Sequence, residues 1–264
     1  MDRKVFFGVI IALLVVSAVL TAGCVSNQTE KKTYIVGIDG EYFPYSYVDE
    51  SGNFAGFDVE SIQWIAEQEG FNVEIKAFGW DGIIEALQQG KNDMVYSGMS
   101  ITPDRAAQVT FSIPYWSVDQ AVAVKNGSTV TLDQFKAGDL TIGVQRSCSA
   151  DQYLQSDDCF GQAKYDQMVK DGKIKLYDSF PLSMIALENG LVQAVIYDDV
   201  MINHHIKGND AIVIIGTIPT DEEYGVAMRN GDTELQALIN DGLTKLMASE
   251  KWNELLAKYD MKEA

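Results

Sequence analysis

One segment of this chain is written twice. Ala86-Leu87 followed by Gly90 recurs as Ala186-Leu187 followed by Gly190, an offset of one hundred residues. Beyond each glycine, Asp93-Met94-Val95 aligns with Gln193-Ala194-Val195, which sets Gly98 opposite Asp198. The flanks repeat as well. "TYIVGID" reads as a buried strand, Asp58 caps a helix carrying Val59, Ile62, Ile65 and Ala66, and Gly70 ends it. "FNVEIKAF" alternates as a strand, and Asp81 caps the helix that Gly90 ends. The second copy offers "LTIGVQ", a helix after Cys148, "KIKLYDS", the helix "PLSMIALENG" and the strand "QAVIYDD". Strand, helix, strand, helix, strand is the order of an α/β layer. Two such units predict an α/β fold of two similar lobes, each a mostly parallel sheet flanked by helices.

Two lobes create a cleft. In open α/β sheets ligands bind beyond the carboxyl ends of strands, and Gly98 and Asp198 both fall at such ends. "YWSVDQAVAVKNGS" reads as an extended connector and "GTIPTDEEYGVAM" as a second crossing, followed by two amphipathic helices in "TELQALINDGLTKLMASEKWNELLAKY". Two crossings make a two-strand hinge. They predict residues 33–116 with 222–264 as lobe 1 and residues 117–221 as lobe 2.

The N-terminus has its own logic. Arg3 and Lys4 precede the apolar run Val5 to Leu20 and then "TAGC", a secretory layout. Residues 1–23 are expected to be a signal peptide, Cys24 a lipid-modified first residue, and residues 24–32 a polar linker. An uncleaved membrane anchor is the alternative, because the run is nearly long enough to span. Either way the rest of the chain works outside the cytoplasm. There, the leftover pair Cys148 and Cys159 is expected to form a disulfide. Zinc is a poor alternative, since the histidines are only His204 and His205; no metal or cofactor is expected.

A formal charge of −18 argues against nucleic acid and anionic membrane surfaces, both of which require basic patches. No P-loop, G-x-S-x-G elbow, H-E-x-x-H or dinucleotide fingerprint is present. The chain carries instead the means to hold a small zwitterion. In "SITPDRAAQVTFSIPYW", Thr102 reads as an N-cap and Pro103 as the first helical residue, so Arg105 lies at the positive end of a helix. A guanidinium fork beside helix N–H groups suits a carboxylate. Asp198, at the matching strand end, suits an ammonium.

Four stretches, "GFDVE", "GWDGIIEALQQGKNDMV", "SITPDRAAQVTFSIPYW" and "EEYGVAM", together resemble the family 3 extracellular solute-binding proteins, over nearly all of residues 33–264. The resemblance implies a type II periplasmic-binding fold that closes on a polar amino acid and delivers it to an ATP-binding-cassette (ABC) permease. It implies that Arg105 clamps the ligand α-carboxylate with Ser100 assisting, and that Gly98, beside Ser97, offers main-chain contact. Asp198 would receive the α-ammonium, Tyr42 and Trp80 would wall the side chain, and Asp39 would reach its far end. The second-lobe loop "QRSCSAD" departs from the G-T-x-x of many relatives, which leaves Gln145 and Ser149 as further candidates. With one acid beyond those a zwitterion needs, the expected ligand is cationic: arginine, lysine, ornithine or histidine. A glutamine binder of the same family is one alternative. An exported enzyme on this fold, such as a cyclohexadienyl dehydratase, is another. The overall expectation is a lipid-tethered, monomeric binding protein and not an enzyme.

Overall fold

In a computed structural model of the chain, residues 31–261 are described. The expected signal peptide, Cys24 and most of the linker lie outside the described residues. In chain order the strands are β1 (Thr33–Ile38), β2 (Glu41–Tyr42), β3 (Ser46–Val48), β4 (Phe54–Ala55), β5 (Asn72–Ala77), β6 (Met94–Val95) and β7 (Thr110–Phe111). Then follow β8 (Trp116–Lys125), β9 (Ile142–Gln145), β10 (Ile174–Tyr177), β11 (Ala194–Asp198), β12 (Ile212–Tyr224) and β13 (Ala227–Met228). They build two five-stranded sheets, ordered β5-β1-β6-β13-β7 and β10-β9-β11-β8-β12, beside a small β2-β3-β4 sheet. This is the two-lobed α/β architecture.

Each large sheet is parallel at one side and antiparallel at the other. β5, β1 and β6 run parallel, as do β10, β9 and β11, because helices connect them. The antiparallel half comes from the strands that follow each change of sheet: β8 pairs with β11 and β12, and β13 pairs with β6 and β7. After β12 the chain therefore returns to the first sheet, with Ala227 opposite Val95.

The repeat is visible in backbone detail. Gly90 and Lys91 donate to Leu87 and Ala86, as Gly190 and Leu191 donate to Leu187 and Ala186. Both glycines are left-handed, with φ of 72° and 70°, the conformation that closes a helix at least cost to glycine. Asp93 N–H donates to Ile35 while its carboxylate accepts from Ile35 N–H. Gln193 and Thr141 make the same reciprocal pair in the second lobe.

Apolar faces lock each lobe. In the first, Ile62 and Ile65 of helix Phe57–Glu69 meet Leu235, Ile239 and Leu243 of helix Thr233–Met247, all fully buried. Gly242 allows that approach, since a Cβ there would lie 2.3 Å from Ile65 Cγ2. In the second, Ile142, Val144, Val195 and Ile196 of the sheet pack with Leu154, Met184 and Leu187. Each such side chain contributes about 1.5–3 kcal/mol on burial.

Three local expectations are corrected. Asp58 does not cap its helix; Gly56 does, and the Asp58 side chain turns inward to other donors. Asp81 lies inside a 3-10 turn, Trp80–Gly82, that precedes helix Ile83–Gln88, so Gly82 takes the cap position. Cys148 and Cys159 are free thiols, not a disulfide. Cys148 caps helix Ser149–Gln155, its sulfur accepting from Asp151 N–H at 3.4 Å, and Cys159 follows the other end. The Cys159 thiol is hydrogen-bonded instead to the Tyr153 hydroxyl.

Candidate functional site

The site lies where the carboxyl ends of β1, β6 and β11 face one another. Around it, Asp39, Tyr42, Trp80, Gly98, Ser100, Arg105, Cys148, Ser149, Tyr197 and Asp198 line a narrow cleft.

Arg105 is placed by a very short helix. Thr102 Oγ1 accepts from Arg105 N–H at 3.3 Å, Pro103 starts the helix Pro103–Ala106, and the side chain turns into the cleft, 2% exposed. Its Nη1 donates to Ser100 O and its Nη2 to Ser147 O, both at 3.0 Å. The guanidinium carbon stands 5.3 Å from the centre of the Trp80 ring, at cation–π range. Both guanidinium bonds go to carbonyls, and among the described residues Arg105 joins no ion pair. Burial lowers its pKa from the usual arginine value, yet a guanidinium stays charged. A buried cation with neutral partners attracts an anion of small size.

Asp198 ends β11 and heads helix Asp199–Ile206, but its side chain makes no cap bond. It faces the cleft, where Oδ2 accepts from the hydroxyls of Tyr42 and Tyr224, the latter at 2.7 Å. Oδ1 accepts from Gln120 Nε2 at 2.6 Å and Ser149 Oγ at 3.3 Å. Burial, then the charge of Glu222, push its carboxyl up to about 6. Glu222 stands close by, accepting from Ser100 Oγ at 2.7 Å and Gln120 Nε2 at 3.0 Å.

At the other end, Asp39 is set by its neighbours. Its N–H donates to Ser97 Oγ at 2.9 Å, and its carboxylate accepts from Glu41 N–H at 2.9 Å and Gln145 Nε2 at 3.2 Å. Burial raises its pKa from the ordinary aspartate value. Ser97 is thus a support for Asp39, bonded also to Ser46 Oγ at 2.7 Å, and does not line the cleft. Gln145 likewise sits behind the wall, accepting from Tyr197 OH while it donates to Asp39. The other eight expected ligand positions all line it.

Gly98 is held at φ +52°, and a Cβ there would lie 2.4 Å from Tyr42 Cε1. Its N–H donates to Asp58 Oδ2 at 2.6 Å. Asp58 is fully buried, and burial pushes its carboxyl up to about 8.

Several site residues escaped the sequence reading. Ser147 joins the lobes: its carbonyl accepts from Arg105 and from Trp80 Nε1 at 3.2 Å, and its hydroxyl bonds Asp81. A left-handed φ of 60° turns this loop residue toward the first lobe. Tyr197, Tyr224, Gln120 and Glu222 were also missed. Gln120 gave a signal, a lone amide within the apolar run "QAVAV" that proves fully buried.

The bacterial extracellular solute-binding protein profile, family 3, matches residues 34–262. The chain belongs to that family. A probable histidine-binding protein of Neisseria gonorrhoeae is 32% identical over 239 residues, 88% of this chain and 84% of the relative. The L-cystine-binding protein TcyJ of Escherichia coli strain K12 is 27% identical, covering 96% of each chain. An ancestral arginine-binding protein solved with arginine superposes with a TM-score of 0.76 at 32% identity, over 87% of this chain and 98% of that one. The family 3 chain described here thus shares its length and its fold with proteins named for amino acid binding.

Proposed function

We propose that this chain is the extracytoplasmic binding component of an ABC importer and that it captures a cationic amino acid. The observation that carries the reading is Arg105, a buried guanidinium with no acidic partner among the described residues, lining the same cleft as the buried carboxylate of Asp198. Arg105, with Ser100, takes the α-carboxylate. Asp198, with Ser149, takes the α-ammonium, and Gly98 offers its main chain. Tyr42 and Trp80 form the walls, and Asp39, positioned by Ser97 and Gln145, receives the cationic end of the side chain. Three carboxylates, Asp39, Asp198 and Glu222, against one guanidinium leave the site negative. That balance favours arginine, lysine, ornithine or histidine over a neutral or acidic ligand, in keeping with the histidine and arginine in the names of two of the relatives.

In the same reading, residues 33–116 with 222–264 and residues 117–221 are the lobes that close on the ligand. The chain is monomeric and tethered through a lipid on Cys24. It releases its ligand unchanged and is not an enzyme. A thermal-shift screen of the twenty amino acids tests the assignment, because a ligand bound by the folded state raises the transition. Arginine, lysine or histidine should give the largest shift, and their complete recovery after long incubation should accompany it. No shift with any amino acid contradicts the assignment, and conversion of the ligand contradicts the non-enzymatic role.

A further inference from the structure

Glu222 belongs to neither set of ligand-facing groups, yet one carboxylate there reaches both. It lies on β12, one of the two crossing strands, next to an irregularity in the β8–β12 pairing between Ile218 and Glu222. Oε2 accepts from Ser100 Oγ of the first lobe at 2.7 Å, and Oε1 accepts from Gln120 Nε2 on β8 at 3.0 Å. Each partner leads on to the site. The Ser100 carbonyl anchors Arg105 Nη1 at 3.0 Å, and Gln120 Nε2 holds Asp198 Oδ1 at 2.6 Å.

We infer that Glu222 is a positioning residue for the amino-acid head group, setting Arg105 through Ser100 and Asp198 through Gln120 from a single point on the hinge. This rests on the proposed roles of Arg105 and Asp198.

The local balance of donors and acceptors agrees. Where Asp198, Glu222 and Gln120 meet, two carboxylates share one amide nitrogen, and the buried Gln120 Oε1 has no donor among the described residues. Such a corner has more acceptors than the protein satisfies, which matches an arriving ammonium. A residue serving only the fold would leave the head group's energetics alone. Glu222 instead has no direct role in holding a ligand side chain, so its removal should weaken every amino acid that uses the head-group site by a similar factor.

The test is a cycle of protein and ligand changes read by titration calorimetry. Wild type, Glu222→Gln and Glu222→Ala are each titrated with arginine and with 5-guanidinopentanoate, which lacks only the α-ammonium. If another amino acid binds wild type best, it and its deamino analogue replace the pair. Glu222→Ala is expected to weaken the amino acid by at least about tenfold through both routes, and the analogue, which keeps the Arg105 route and lacks the Asp198 one, by at least about threefold less, the non-additivity expected of groups acting on one another. Glu222→Gln should fall between, since its amide oxygen still accepts from Ser100. A reduced binding stoichiometry at unchanged affinity marks misfolding and overturns the positioning role, as does an equal loss for both ligands. Normal affinity for both ligands in Glu222→Ala overturns it too, while leaving the amino-acid-binding assignment intact. A wild type that binds no amino acid overturns that assignment first.

Discussion

Arg105→Ala removes the buried guanidinium that lines the site, and its consequence divides between ligand and protein. The guanidinium makes two hydrogen bonds, to Ser100 O and Ser147 O, each at 3.0 Å, and the second of them links the two lobes. Without it, a ligand carboxylate entering the same space keeps its charge but loses its partner. Truncating one member of a buried charge pair costs about 2–5 kcal/mol, which is about 30-fold to a few thousand-fold in Kd. Losing the cross-cleft bond to Ser147 adds to the same end, because the closed arrangement then has fewer contacts to stabilise it. Stability without ligand should change far less. The deletion relieves the desolvation that lowers the Arg105 pKa while giving up two bonds to carbonyls and the contact with the Trp80 ring. Calorimetry should therefore show a loss of at least about 30-fold, and thermal unfolding without ligand should stay near wild type. An affinity within threefold of wild type refutes the reasoning. A collapse in the unliganded transition shows instead that Arg105 serves the fold.

Asp39→Asn should cost arginine and lysine most of their advantage over glutamine, measured as a ratio of dissociation constants; an unchanged ratio contradicts the role given to Asp39. Asp58, held neutral by burial up to about 8, favours folding when protonated, so its contribution is lost as pH rises from the unfolded aspartate range through about 8. Asp58→Asn, which cannot ionise, should gain in melting temperature over wild type as pH rises from 4 to 8, and a gain independent of pH counts against that burial effect. Cys148 and Cys159 should both react with a thiol reagent in denatured, unreduced protein, and protection of both contradicts their free state.

The repeat was legible because a helix stop is local chemistry. Glycine at a left-handed position writes its own signature, so Gly90 and Gly190 located both lobes before any contact was known. Arg105 was legible for a similar reason, since Thr102 and Pro103 announce a helix start and make the following cation conspicuous. What stayed hidden depends on long-range geometry. Glu222 and Gln120 lie on crossing strands whose pairing juxtaposes segments about a hundred residues apart, and nothing near either residue records the partner. Ser147 reads as an ordinary loop serine until its left-handed backbone turns it onto Trp80, Asp81 and Arg105. The caps failed differently. Asp58 and Asp81 are good capping residues by type, but buried donors and the opposite lobe claim their side chains. Cysteine parity misled because each thiol has its own partner, Asp151 N–H for Cys148 and the Tyr153 hydroxyl for Cys159.

The affinity ranking of wild type by titration calorimetry, with arginine, lysine, histidine, glutamine and glutamate under one set of conditions, tests the central claim most directly. Asp39, Asp198 and Glu222 opposed by Arg105 predict that a cationic amino acid leads and that glutamate binds weakest. Glutamine or glutamate at the head of the ranking contradicts the charge assignment of the site.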